Sequence, residues 1–122
     1  MKNDVPATNI YVATLKQIKE IIDTARYFRD CYTWYHMPVL SESERKEYEE
    51  YHTKPTVTWV EGGNTYSASY EVKMLKDSRI IARGHYTRNH EKTTLSAVVN
   101  SYNRILQKFP QFQDDVEDDI FL

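Results

Sequence analysis

Two hydrophobic periods divide the chain. In "TLKQIKEIIDTARYFRDCYTWY", residues 14–35, Leu15, Ile18, Ile21, Ile22, Ala25, Phe28, Tyr32 and Tyr35 recur every three or four positions, with charged residues between them. That spacing gathers the apolar side chains on one face and predicts an amphipathic helix. Thr14, with Gln17 three residues on, reads as a capping box at its start. The preceding "NIYVA" reads equally as a short strand or an extra helical turn. After Pro38, Ser41 or Ser43 can cap a second, highly charged helix, "ESERKEYEEYH", anchored by Tyr48 and Tyr51 and stopped by Pro55.

From residue 56 the period is two. "TVTWV", the turn "EGGN" and "TYSASYEVKML" predict a hairpin whose second strand turns Tyr66, Ala68, Tyr70, Val72 and Met74 to one side. "RIIARGHYT" predicts a third strand. A loop at 76–78 then sets Met74 opposite Ile80, Val72 opposite Ala82, Glu71 opposite Arg83 and Ser69 opposite His85. Tyr86 joins the inner face, and Gly84 reads as a small residue beneath Tyr70 or a bulge. A last helix is predicted over 92–109, with Leu95, Val98, Val99, Tyr102, Ile105, Leu106 and Phe109 as its stripe. The expected fold is α+β: a three-stranded antiparallel sheet packed on helices in the order α-α-β-β-β-α, with a short extra N-terminal strand as an option. Residues 1–110 form one domain. Residues 111–122 form an acidic tail, disordered unless Ile120, Phe121 and Leu122 find a surface.

Composition narrows the class. At 40% hydrophobic and 28% charged residues over 122 positions, the chain is suited to a modest globular core. The single cysteine, Cys31, cannot form an internal disulfide and fits a reducing compartment. No run approaches the roughly 20 apolar residues of a membrane span, and the N-terminus lacks the apolar core of a signal peptide. A cytoplasmic protein without membrane contact is expected. The net charge of −2 hides an uneven layout: residues 54–110 hold nine Lys/Arg against four Asp/Glu, while the tail holds five acids and no base. A basic middle beside an acidic tail suggests an anionic ligand, or a tail that competes with one.

Over residues 39–109, "PVLSESERKEYEEY", "PTVTWVEGGN", "TYSASYEV" and "ARGHYTRNHEKTT" follow in order, and this resembles the double-stranded-RNA-binding domain in topology and pattern. The resemblance implies a helix, three antiparallel strands and a helix, with phosphates gripped by a lysine cluster at the start of the last helix. The matching segment here carries Arg88, His90 and Lys92. The matching first helix, which reads the minor groove in that family, is acidic in this chain.

Four chemistries compete for the candidate residues. Arg88, Asn89, His90 and Lys92, beside a helix start, can form an anion cradle, with Arg79 and Arg83 extending it along the third strand. Cys31 with His36, and His85 with His90, are the weak candidates for a metal site, although Cys31-x4-His36 is not a common zinc pair. His85 and His90 could share acid and base roles on a phosphodiester, yet no nucleophile elbow, phosphate loop or dinucleotide fingerprint accompanies them. Tyr32, Trp34, Tyr35 and Met37 form a run too aromatic for one buried helical face, and they suit a partner interface or a homodimer seam. Asp114, Asp115, Asp118 and Asp119 offer acidic contacts in the tail.

The expectation is a non-enzymatic binding protein, without cofactor, that engages nucleic acid or a nucleic-acid-handling machine. The alternative is an inhibitor of the kind phages and mobile elements encode, blocking a host defence protein through aromatic and acidic surfaces.

Overall fold

A computed structural model describes residues 4–28, 33–36, 41–76 and 79–117, with side chains over 11–28, 41–76 and 80–116. Among the described residues the elements in chain order are α1 (Asp4–Tyr27), β1 (Thr33–His36), α2 (Glu42–His52), β2 (Lys54–Glu61), β3 (Asn64–Met74), β4 (Arg79–Arg88), β5 (Glu91–Lys92), α3 (Leu95–Lys108) and α4 (Phe112–Glu117). The sheet is antiparallel in the order β1-β4-β3-β2, and β5 pairs with β4. The α+β class is as the pattern predicts. The three expected strands are joined by β1 and by the two-residue β5.

The first helix begins and ends earlier than its apolar spacing implies. "NIYVA" belongs to α1, so no extra N-terminal strand forms there and Thr14 sits inside the helix instead of capping it. Tyr11 explains the extension: its ring packs edge-on against Phe109 and Phe112, both at 5.6 Å, and continues the buried row of Leu15, Ile18, Ile22 and Ala25. At the other end, Thr33–His36 is a strand and not helix. Trp34 pairs with Ile81 and Tyr35 with Ile80. Thr, Trp and Tyr favour strands, and a partner strand outweighs an accidental helical spacing.

α2 keeps its predicted bounds because its cap is local. Ser41 Oγ accepts from Glu44 N at 3.2 Å, and Ser41 N donates to Glu44 Oε1 at 2.8 Å, a complete capping box. Tyr51, expected as an anchor, is instead 71% exposed. Tyr48 is half-buried against the core.

Gly62 and Gly63, at φ +61° and +79°, make the two-residue turn between β2 and β3, a backbone that glycine adopts without steric cost. Between β3 and β4 the pairs Met74–Ile80, Val72–Ala82, Glu71–Arg83 and Ser69–His85 form as the alternation predicts. Tyr66, Ala68, Tyr70, Val72 and Tyr86 are accordingly buried. α1 and α3 pack on this inner face. Trp59 stacks on Tyr66, and its indole N–H donates to the buried Ser101 Oγ at 2.9 Å, joining β2 to α3. Gly84 lies opposite Tyr70, but a Cβ there would meet the ring and hydroxyl of Tyr86, whose side chain occupies the space.

α3 starts at Leu95, not at 92, and Thr94 caps it by accepting from Ala97 N at 3.2 Å. The start of the acidic tail is ordered as α4, where Phe112 and Val116 are 4% and 1% exposed within the core. Ile120, Phe121 and Leu122 lie outside the described residues. Among the described residues, no helix is long and apolar enough to cross a membrane.

Candidate anion-binding hairpin

The segment "RGHYTRNHEK" is the end of β4, a tight turn, and β5. Asn89 and His90 occupy the turn at φ 52° and 71°, with Arg88 paired to Glu91 and Thr87 to Lys92. Left-handed backbone at two successive non-glycine residues is costly, least so for Asn and His among side-chain-bearing residues. Asn89 offsets that cost with three hydrogen bonds. Its backbone N–H donates to Thr65 O at 2.7 Å, its Nδ2 donates to Asn64 Oδ1 at 2.8 Å, and its Oδ1 accepts from Thr65 N at 2.9 Å. Thr93 N, donating to Tyr86 O at 2.9 Å, ties down the returning leg. The hairpin is thereby fastened to β3. Asn89 serves the scaffold, whereas the sequence placed it among the ligand contacts.

Arg88, His90 and Lys92 are exposed on this hairpin. None of the three forms an ion pair among the described residues. They stand before the helix start, and Thr94 already satisfies one of that helix's free N–H groups. The expected cradle is thus a hairpin and not a helix N-terminus. Arg79 does not join it. It opens the strand that Arg88 closes, and nine residues of strand separate two positions by roughly 30 Å.

Midway along β4, charge is neutralised locally. Lys73 Nζ lies 3.0 Å from Glu71 Oε2, and His85 Nε2 lies 3.3 Å from Glu71 Oε1. The hydrogen bond from Lys73, then that from His85, holds the Glu71 carboxyl below the usual carboxylate range. Arg83 faces the same Glu71 in register and is half-buried. A second pair removes another cation from ligand duty. Arg104 donates through Nε and Nη2 to the two oxygens of Glu61, each at 2.9 Å, and through Nη2 to Tyr66 Oη at 3.3 Å. The hydrogen bond from Arg104 is the main cause of the lowered Glu61 carboxyl.

For the remaining candidates, the structure places His36 opposite Arg79 in β1. Cys31, Tyr32, Met37, Asp118 and Asp119 lie outside the described residues. Among the described residues, no group of three or more His, Cys, Asp or Glu residues is arranged to hold a metal ion. Asp114 and Asp115 are exposed on α4. A surface that sequence reasoning missed lies at the other end of α1, where Tyr27, Tyr51 and His52 come together beside Lys54. Its one local signal is Tyr27, which falls off the apolar stripe of α1 and is therefore turned outward by spacing alone.

Compared with protein-family models, with curated proteins and with solved structures, the chain gives no significant match.

Proposed function

We propose that this chain is a non-enzymatic binding protein that engages nucleic acid through the β4–β5 hairpin, with Arg88, His90 and Lys92 reaching phosphates. The observation that carries the reading is a turn-locked tip presenting three basic side chains that form no ion pair among the described residues. A rigid tip loses little conformational freedom on binding. The order of helix, three long antiparallel strands with the short β5, and helix from α2 to α3 supports the same reading.

Two or three phosphate contacts imply a shallow salt dependence, with log K falling against log salt with a slope of about −2 to −3. Fluorescence-anisotropy titrations with short duplex RNA, duplex DNA and single strands at two salt concentrations test this. Arg88→Ala with Lys92→Ala should abolish binding at physiological salt and cut the low-salt slope by about two. Binding that ignores salt, or that survives in the double variant, overturns the proposal.

A second reading, that of an inhibitor blocking a host protein, is favoured by α4. Burial of Phe112 and Val116 holds Asp114 and Asp115 exposed on a docked helix, so little ordering entropy is lost when they meet a basic partner. In a pull-down from host lysate, Asp114→Asn with Asp115→Asn should then lose a partner that the Arg88/Lys92 variant retains. Retention by both variants counts against this reading.

A further inference from the structure

A cleft of about 450 Å³ opens between α1 and the junction of α2 with β2. That volume lies within the range of small-molecule sites. Tyr27 and Tyr51 flank it at 67% and 71% exposure, while Phe28, Tyr66 and Tyr70 are buried. His52 organises them. Its ring is parallel to Tyr27 (2°, centroids 5.9 Å apart) and perpendicular to Tyr51 (87°, 4.9 Å). The two exposed tyrosine planes therefore stand nearly at right angles. A flat ring laid on one of them would lie nearly perpendicular to the other, an orientation that aromatic quadrupoles favour.

The rim is charged in a particular way. Lys16, Lys19 and Lys54 line the cleft together with Glu20 and Asp23. Asp23 holds Lys19 at 2.7 Å. Lys54 Nζ donates to Tyr51 O at 3.0 Å and sits over the Tyr51 ring, 5.6 Å from its centre, so its charge shares one face of that ring and leaves Tyr27 the less encumbered of the two. Lys16 is exposed. A matching ligand needs a flat ring for the tyrosines, an anionic group for the lysines, and hydroxyl donors for the Glu20 carboxylate. A nucleotide supplies all three through its base, phosphate and ribose. Aromatic side chains beside a basic surface are also the usual means of holding unpaired bases.

We infer that this cleft is a nucleotide-binding site taking one unpaired base, stacked on Tyr27 or Tyr51, with the phosphate at Lys16 and Lys54 and the ribose hydroxyls at Glu20. Burial, and then the nearby Lys54, pushes the His52 imidazole below its ordinary value. The ring is thus neutral near pH 7 and does not add to the lysine charge. A duplex keeps its bases stacked inside, so the cleft accepts single strands or free mononucleotides and rejects paired ones. The cleft and the β4–β5 hairpin share no residue.

The test is an amide-resolved NMR titration of the full chain with AMP, UMP, adenosine, inorganic phosphate and a single-stranded hexanucleotide. AMP and UMP should shift the amides of Tyr27, Tyr51, His52 and Lys54, with adenosine weaker than AMP. Tyr51→Ala or Tyr27→Ala, each at an exposed site, should leave the rest of the spectrum in place, and at least one of them should weaken AMP roughly five- to a hundredfold. The Arg88/Lys92 double variant should bind AMP as well as the unaltered chain. A hexanucleotide binding tighter than AMP marks a strand as the ligand, whereas equal binding marks the free nucleotide. Absence of these shifts at millimolar AMP and UMP overturns the inference. So does inorganic phosphate binding as well as AMP, or AMP binding unchanged by both Tyr51→Ala and Tyr27→Ala. Hexanucleotide shifts confined to 88–92 overturn it while supporting the hairpin.

Discussion

Replacing Ser101 with alanine removes one hydroxyl and leaves the indole N–H of Trp59 buried without an acceptor. Ser101 is 0% and Trp59 5% exposed, so water cannot take the place of the 2.9 Å hydrogen bond. An orphaned buried donor costs about 1–3 kcal/mol. Alanine recovers roughly 0.5 kcal/mol through its better helix propensity. The net loss should therefore be about 0.5–2.5 kcal/mol. For 122 residues the unfolding entropy near the midpoint is about 0.26 kcal/mol/K. Tm should then fall by about 2–10 °C, measured by circular dichroism with a parallel urea titration. Trp59→Phe provides the control. In that background no indole N–H remains, so adding Ser101→Ala should cost clearly less, only the hydroxyl's hydrogen bond to Glu61 being lost. Equal stability of Ser101→Ala and the native chain would refute the reasoning, as would the same penalty in both backgrounds.

Gly84→Ala should destabilise by about 1–3 kcal/mol, because the new methyl group meets the Tyr86 ring; a neutral result in chemical denaturation would mean that the ring does not occupy that space. Phe112→Ala should cost about 3–5 kcal/mol, while Asp114→Asn with Asp115→Asn stays within about 0.5 kcal/mol. Equal midpoints for those two variants would show that the tail is not part of the core. Glu61 should make stability depend on acid. Its folded carboxyl is held below the value of 4.5 of a free glutamate, so the folded state binds fewer protons and its contribution is present above that pH. That contribution is lost as pH falls through the folded value. Glu61→Gln should flatten the stability–pH curve in this acid window, and an unchanged curve would remove Glu61 as its source.

The elements differ in how far they were legible from residue order. The extent of α2 was readable, although Ser41 and Ser43 were both open as its cap until the Ser41–Glu44 capping box decided for Ser41. The β3–β4 register was readable because a short loop joins two strands with matching alternation. Arg88, His90 and Lys92 stood out as a basic group. Their hairpin did not, since Asn89 and His90 are weaker turn signals than the glycine pair at 62–63, and the bonds that fasten Asn89 to Asn64 and Thr65 span 24 or 25 residues. The role of Arg104 was equally hidden, because Glu61 is 43 positions away.

Residue order alone therefore determined the buried stripe of α1, the inner face of the sheet and the extent of α2, all set by periods and side-chain reach of two to four positions. Tertiary structure decided where α1 stops, that Thr33–His36 becomes a strand, that Arg79 and Arg88 stand at opposite ends of β4, and that Tyr27 and Tyr51 line one cleft around His52. Each of these depends on segments distant in sequence. Local propensities differ by less than about 1 kcal/mol per residue, so the partner that long-range packing supplies outweighs them.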